Sequence, residues 1–186
     1  SELHFIALVT LISGIIGIVL LKIVERYELF FAQTTLINAL VAMFLLITAL
    51  FLFVSESYTN DTRKKPLTFL QGIITGIFQG LSALPGISRS GSTIAAMGLL
   101  GIEKKRALEL SFILSIPLVL GANIFLNLET FSIFGMNHFV ALISAFIFGM
   151  ITIEILLRLV ERIKFSMFVG FFAITLLIFT GIEYFL

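Results

Sequence analysis

From Thr34 to Val54 the chain carries no charged side chain, and Leu3–Leu21, Leu108–Leu126, residues 138–157 and Met167–Leu186 each hold at most one carboxylate. Runs of roughly 20 apolar residues match a hydrocarbon core about 30 Å thick when coiled as α-helices, which satisfy their own backbone hydrogen bonds in lipid. Barrel strands would alternate apolar and polar residues, and these runs do not. With 59% hydrophobic and 12% charged residues, the chain lies outside the composition of soluble domains. The expectation is an all-α polytopic membrane protein with about five transmembrane helices. No linker composition or low-complexity tract divides residues 1–186, so one transmembrane domain is expected. The absence of cysteine excludes disulfides and thiolate metal sites, and a formal charge of +1 gives no sign of a nucleic-acid partner.

Residues Pro66–Glu103 break the pattern. Leu67–Leu84 is apolar but carries Gln71 and Gln79, with Gly72, Gly76 and Gly80 on one helical face that admits a close neighbour. Ile94–Leu100 is a second apolar piece, too short to span, which stops at Gly101 before Lys104-Lys105-Arg106. Between the two lies Leu84-Pro85-Gly86-Ile87-Ser88-Arg89-Ser90-Gly91-Ser92-Thr93. A re-entrant helix-loop-helix hairpin accounts for this order. It places Arg63-Lys64-Lys65, Lys104-Lys105-Arg106 and Arg158/Arg162/Lys164 on one side of the membrane, with the basic-free loop Asn127–Asn137 and the C-terminus on the other. A simple crossing would split the basic clusters. Lys22 and Arg26 fall on the opposite side, offset by Glu25 and Glu28.

Non-helical backbone survives at membrane depth only where it is buried in protein or lines a cavity. Pro85-Gly86 turns the chain, Gly91 allows close approach to a ligand, and Ser90 or Ser92 is placed to cap the following helix. Free amides at the positive end of that helix, hydroxyls and the planar fork of Arg89 together describe an oxyanion site, with phosphate as its ligand. Arg89 serving as a structural ion-pair partner is the plainer alternative. No Walker-type lysine follows the glycines, which excludes a nucleotide P-loop.

The run Gln79–Ile94 resembles the second signature of the undecaprenyl-diphosphate phosphatase family, the membrane enzymes linked to bacitracin resistance. So does Glu109-Leu110-Ser111-Phe112-Ile113-Leu114-Ser115-Ile116-Pro117, and the order of spans is similar to the later two-thirds of that family. The resemblance implies a multi-pass protein of the cell (plasma or inner) membrane that hydrolyses a polyprenyl diphosphate to the monophosphate, recycling a lipid carrier for cell wall biogenesis. It places the diphosphate on Ser88, Arg89, Ser90, Gly91 and Thr93, with Arg89, Ser88 and Ser90 as catalytic candidates. It further implies a divalent metal, Mg or Ca, for which this chain offers no identifiable ligands, and it leaves room for a homo-oligomer. Family members also carry an earlier Glu-rich counterpart with Ser and His. Residues 1–58 contain no proline, no Glu-Gly pair and no Ser-Ser-x-Gly-His. The expectation is therefore a chain with the phosphate-binding half, either a fragment or a shortened relative. A non-catalytic polyprenyl-phosphate binder or lipid carrier is the competing class, since half-helix termini aimed at an anion are also a transporter device, and an inactive fragment is the third alternative.

Two further polar residues are supporting candidates. Glu109 is within helical reach of Lys105 and Arg106 and fits an ion pair there or a part in the site. Gln79 is placed either to orient Arg89 or to bond a neighbouring helix. Glu154 pairs with Arg158 at i, i+4, and His4 and His138 stand at span ends.

Overall fold

The computed structural model describes residues 2–26, 34–58, 66–126, 136–160 and 164–185. Arg63–Lys65, the loop from 127 to 135 and Arg162 lie outside the described residues, as does the side chain of Arg158 and with it the expected pair with Glu154. The described residues form seven helices: α1 (Glu2–Arg26), α2 (Thr34–Tyr58), α3 (Phe69–Leu81), α4 (Arg89–Leu99), α5 (Lys104–Leu126), α6 (Met136–Val160) and α7 (Phe165–Phe185). Five of them, α1, α2, α5, α6 and α7, are long and apolar enough to cross a membrane. The fold is that of an all-α polytopic membrane protein.

The two short helices form the hairpin. At about 1.5 Å per residue, α3 and α4 each fall well below the ~30 Å needed to span. Their outer ends are closed together. Thr68 caps α3 by accepting from the Gln71 amide, Gln71 Oε1 accepts from the Thr68 amide in return, and Gln71 Nε2 donates to the Leu100 carbonyl just past α4 at 3.2 Å. At the inner end, Pro85 and Gly86 occupy the centre of a turn closed by Ile87 N–H to the Leu84 carbonyl at 3.2 Å. Gly86 has φ +96°, the third-position geometry of a type II turn, and a Cβ there would stand 2.6 Å from the Val41 backbone.

The glycine face seats the hairpin on α1. A Cβ on Gly72, Gly76 or Gly80 would meet Leu8, Ile12 or Ile16 at under 3 Å, so the stripe packs as expected and α1 runs parallel to α3. The other arm lies along α2, where a Cβ on Gly91 would meet Thr48 Cγ2 at 2.6 Å. Helix α7 returns antiparallel against α2: Glu56 accepts from Ser166 N–H at 3.2 Å and from Ser166 Oγ at 2.9 Å, while Asn38 donates to Glu183 at the far end. Helix α5 closes the bundle over α4 and α1, and Arg106 at its start pairs with Glu2 at 2.7 Å. Lys104, Glu56 and Phe165 line one small recess, so the basic cluster of α5 and the start of α7 share the end where the hairpin is closed. Of the basic residues expected on one side, Lys104-Lys105-Arg106 and Lys164 are the described ones at this end. The core sits around α4, whose residues Gly91–Gly98 are all buried. Helix α6 is the contrast, with none of its spanning window buried.

Candidate functional site

The Ser-Arg-Ser stretch is not a loop. Helix α4 begins at Arg89, and Ser88, in an extended conformation (φ −66°, ψ 116°), is its cap, with its Oγ accepting from Gly91 N–H at 3.3 Å. Capping by Ser90 or Ser92 is therefore corrected, as is a helix start near Ile94. The reason is the turn: Pro85-Gly86 completes the chain reversal early enough for helical geometry to resume one residue after Ser88. The first helical amides have no intrahelical acceptor, so those of Arg89 and Ser90 lie at the positive end of α4, inside the bundle.

The hydroxyls divide by task. Thr93 is fully buried and donates to the Arg89 carbonyl at 2.7 Å; its oxygen lies 2.8 Å from Ser111 Oγ on α5. Either hydroxyl can donate in that contact; with the Thr93 hydrogen on the backbone, the donor is Ser111. Ser92 likewise donates to the Arg89 carbonyl at 3.0 Å. Arg89 itself is half-buried, and Nη1 reaches the Ser111 carbonyl at 3.4 Å, which leaves most of the guanidinium's donors available. Ser90 is half-buried and makes no side-chain hydrogen bond among the described residues.

These positions sort the expected site residues. Ser88, Arg89 and Ser90 stand together at the helix start. Thr93 supports them from behind, turned toward α5. The close approach that Gly91 permits is to Thr48 of α2, so its expected ligand contact is replaced by a packing one. Gln79 bonds to α1, its Nε2 donating to Ser13 Oγ at 3.2 Å, the inter-helix alternative. Glu109 is exposed on α5, and Arg106 is paired with Glu2. His4 and His138 are exposed at the ends of α1 and α6. Ser111 is the residue that sequence reasoning passed over. Its signal was present, in a Ser on the first helix after the hairpin, but only the packing of α4 on α5 gives it a role.

The donor set at the α4 start consists of amides, hydroxyls and a guanidinium, which suits an oxyanion and does not fit a divalent cation. Among the described residues no group of three His, Asp or Glu side chains converges.

Comparison with known proteins identifies the family. The family profile described as "Bacitracin resistance protein BacA" matches residues 2–178. The undecaprenyl-diphosphatase of Staphylococcus carnosus is 33% identical over 177 residues, covering 93% of this chain and 58% of that relative. That of Treponema denticola is 33% identical over 180 residues (92% and 61%), and that of Methanosphaera stadtmanae 37% identical over 162 (86% and 56%). The chain thus spans about three fifths of the length of the curated relatives it matches. On the extent of the profile match and these identities, the chain belongs to the bacitracin resistance protein BacA family.

Proposed function

We propose that this chain carries the phosphate-binding half of a polyprenyl-diphosphate phosphatase of the plasma membrane, which hydrolyses an undecaprenyl diphosphate to the monophosphate. The observation that carries the reading is the start of α4, where a Ser88 cap, unpaired amides and Arg89 meet inside the bundle of a chain from this family. An incoming diphosphate accepts from the Arg89 and Ser90 amides and from the guanidinium fork, whose placement is set by the Ser111 carbonyl. Such pre-aimed donors stabilise the charge that develops on the phosphoryl oxygens without reorganising during the reaction. Ser90 is the better placed hydroxyl for attack, since Ser88 is engaged as the cap. Serine needs a base to be an effective nucleophile, and none is within the motif. The base, and carboxylates for the metal that the family resemblance implies, belong in this proposal to another segment.

The absence of carboxylates from the Ser88–Thr93 stretch favours a second reading, a lipid-phosphate binder without turnover. Release of inorganic phosphate from farnesyl diphosphate or undecaprenyl diphosphate by the reconstituted protein separates the two. The phosphatase reading expects release that Arg89→Ala abolishes. Tight binding with no release across Mg and Ca concentrations supports the binder.

A further inference from the structure

Hydroxyls on the helices of this chain mostly return to their own backbone. Those of Thr48, Ser55, Ser115, Thr152, Thr175 and Thr180 each donate to a carbonyl three or four residues back in the same helix. Ser111 does not. It is 1% exposed on α5, and its Oγ lies 2.8 Å from Thr93 Oγ1 on α4. The part of α5 that carries it is firmly seated, since its neighbours Leu108, Leu110 and Leu114 are buried in one cluster with Ile94, Ala95 and Met97 of α4.

Contacts from this one residue reach both ends of Arg89. The Ser111 carbonyl accepts from Nη1 of the guanidinium at 3.4 Å. The Ser111 hydroxyl donates to Thr93 Oγ1, which donates in turn to the Arg89 carbonyl at 2.7 Å, so the backbone and the head group of Arg89 are tied to the same point on α5. The nitrogen taken matters. Nη1 stands on the side of the guanidinium away from Nε–H, so its capture leaves open the Nε–Nη2 edge, whose parallel N–H groups match two oxygens of a phosphate.

We propose that Ser111 is a positioning residue for the phosphate site: its carbonyl and hydroxyl together fix Arg89 so that the Nε–Nη2 edge is the one that takes the diphosphate. This rests on the reading of the α4 start as a phosphate site. The test compares Ser111→Thr with Ser111→Val in nanodiscs, side chains of nearly one shape that differ in the hydroxyl, so any cost of added bulk is common to both. Farnesyl diphosphate is titrated against each while the Arg89 Nε–H resonance, identified by its loss in Arg89→Lys, is followed by ¹⁵N NMR. Ser111→Thr should bind within about twofold of wild type and Ser111→Val about fivefold more weakly than Ser111→Thr, the worth of one net hydrogen bond. On saturation the Nε–H resonance should shift downfield in wild type and Ser111→Thr, and less in Ser111→Val. Ser111→Ala, which adds no bulk, replaces the pair where it does not fold, and should behave as Ser111→Val does. Equal affinity with and without the hydroxyl overturns the proposal. So does a loss of thermal stability that leaves the Arg89 resonance unmoved, which is the mark of a merely structural role. Wild type that binds no farnesyl diphosphate ends the phosphate reading instead; the unliganded Arg89 Nε should then still be more rigid by ¹⁵N relaxation in wild type than in Ser111→Val, and equal rigidity would show that Ser111 does not position it.

Discussion

The two arms of the hairpin carry polar groups to similar depth but leave them in opposite states. On α4 the hydroxyls of Ser88, Ser92 and Thr93 are all engaged, with backbone or with Ser111, and Arg89 and Ser90 are the side chains left largely available. On α3, Gln79 is buried almost as completely as Thr93 yet leaves its carbonyl oxygen unmatched. The lesson is that burial alone does not mark a structural residue. A satisfied network holds a functional group in place, whereas an unsatisfied atom gives its neighbours no such support.

Substitutions on the two arms should separate these states. The largest effect is expected from Arg89→Ala, which should lower phosphate release or diphosphate affinity by about 10²–10³-fold, the typical cost of removing one oxyanion donor; unchanged thermal stability in the same variant would show that the loss is functional. Gly86→Ala should destabilise by roughly 1–3 kcal/mol, because φ +96° and the Val41 backbone both oppose a Cβ; thermal unfolding in detergent reads this. Thr93→Val leaves Ser111 without its partner and should cost about 1–3 kcal/mol, with a parallel loss of diphosphate affinity as Arg89 loses its support. Ser88→Ala should cost about 1 kcal/mol as a lost cap, and Ser88→Asn should restore most of it. Gln79→Leu should change stability by less than about 1 kcal/mol, since it removes an unmatched acceptor with one weak bond. If Gln79→Leu proved more destabilising than Thr93→Val, the contrast between the arms would be wrong.

Much of the fold was legible in the chain. The five long helices and the hairpin follow from apolar run length and from the basic residues that flank it, because the membrane imposes a length rule that sequence can satisfy or fail. The Gly72/Gly76/Gly80 face was readable for the same reason, as a periodic absence of side chains. The residues of the candidate site were legible but not their arrangement. That Arg89 and the serines form a donor-rich cluster suited to an oxyanion follows from residue type. That Ser88 is the cap, that Thr93 faces Ser111 and that Gln79 turns to Ser13 depends on where the turn ends and which helices flank each arm. These are tertiary contacts between residues up to 66 apart, and no local pattern encodes them.

The central claim is that the start of α4 is an oxyanion site organised by Arg89, and binding tests it without requiring turnover. Titration of farnesyl diphosphate against the reconstituted chain, followed by ³¹P resonance shifts, should show saturable binding in the wild type, loss of about 10²-fold or more in Arg89→Ala, and little change in Gln79→Leu. Equal binding by wild type and Arg89→Ala would contradict the account.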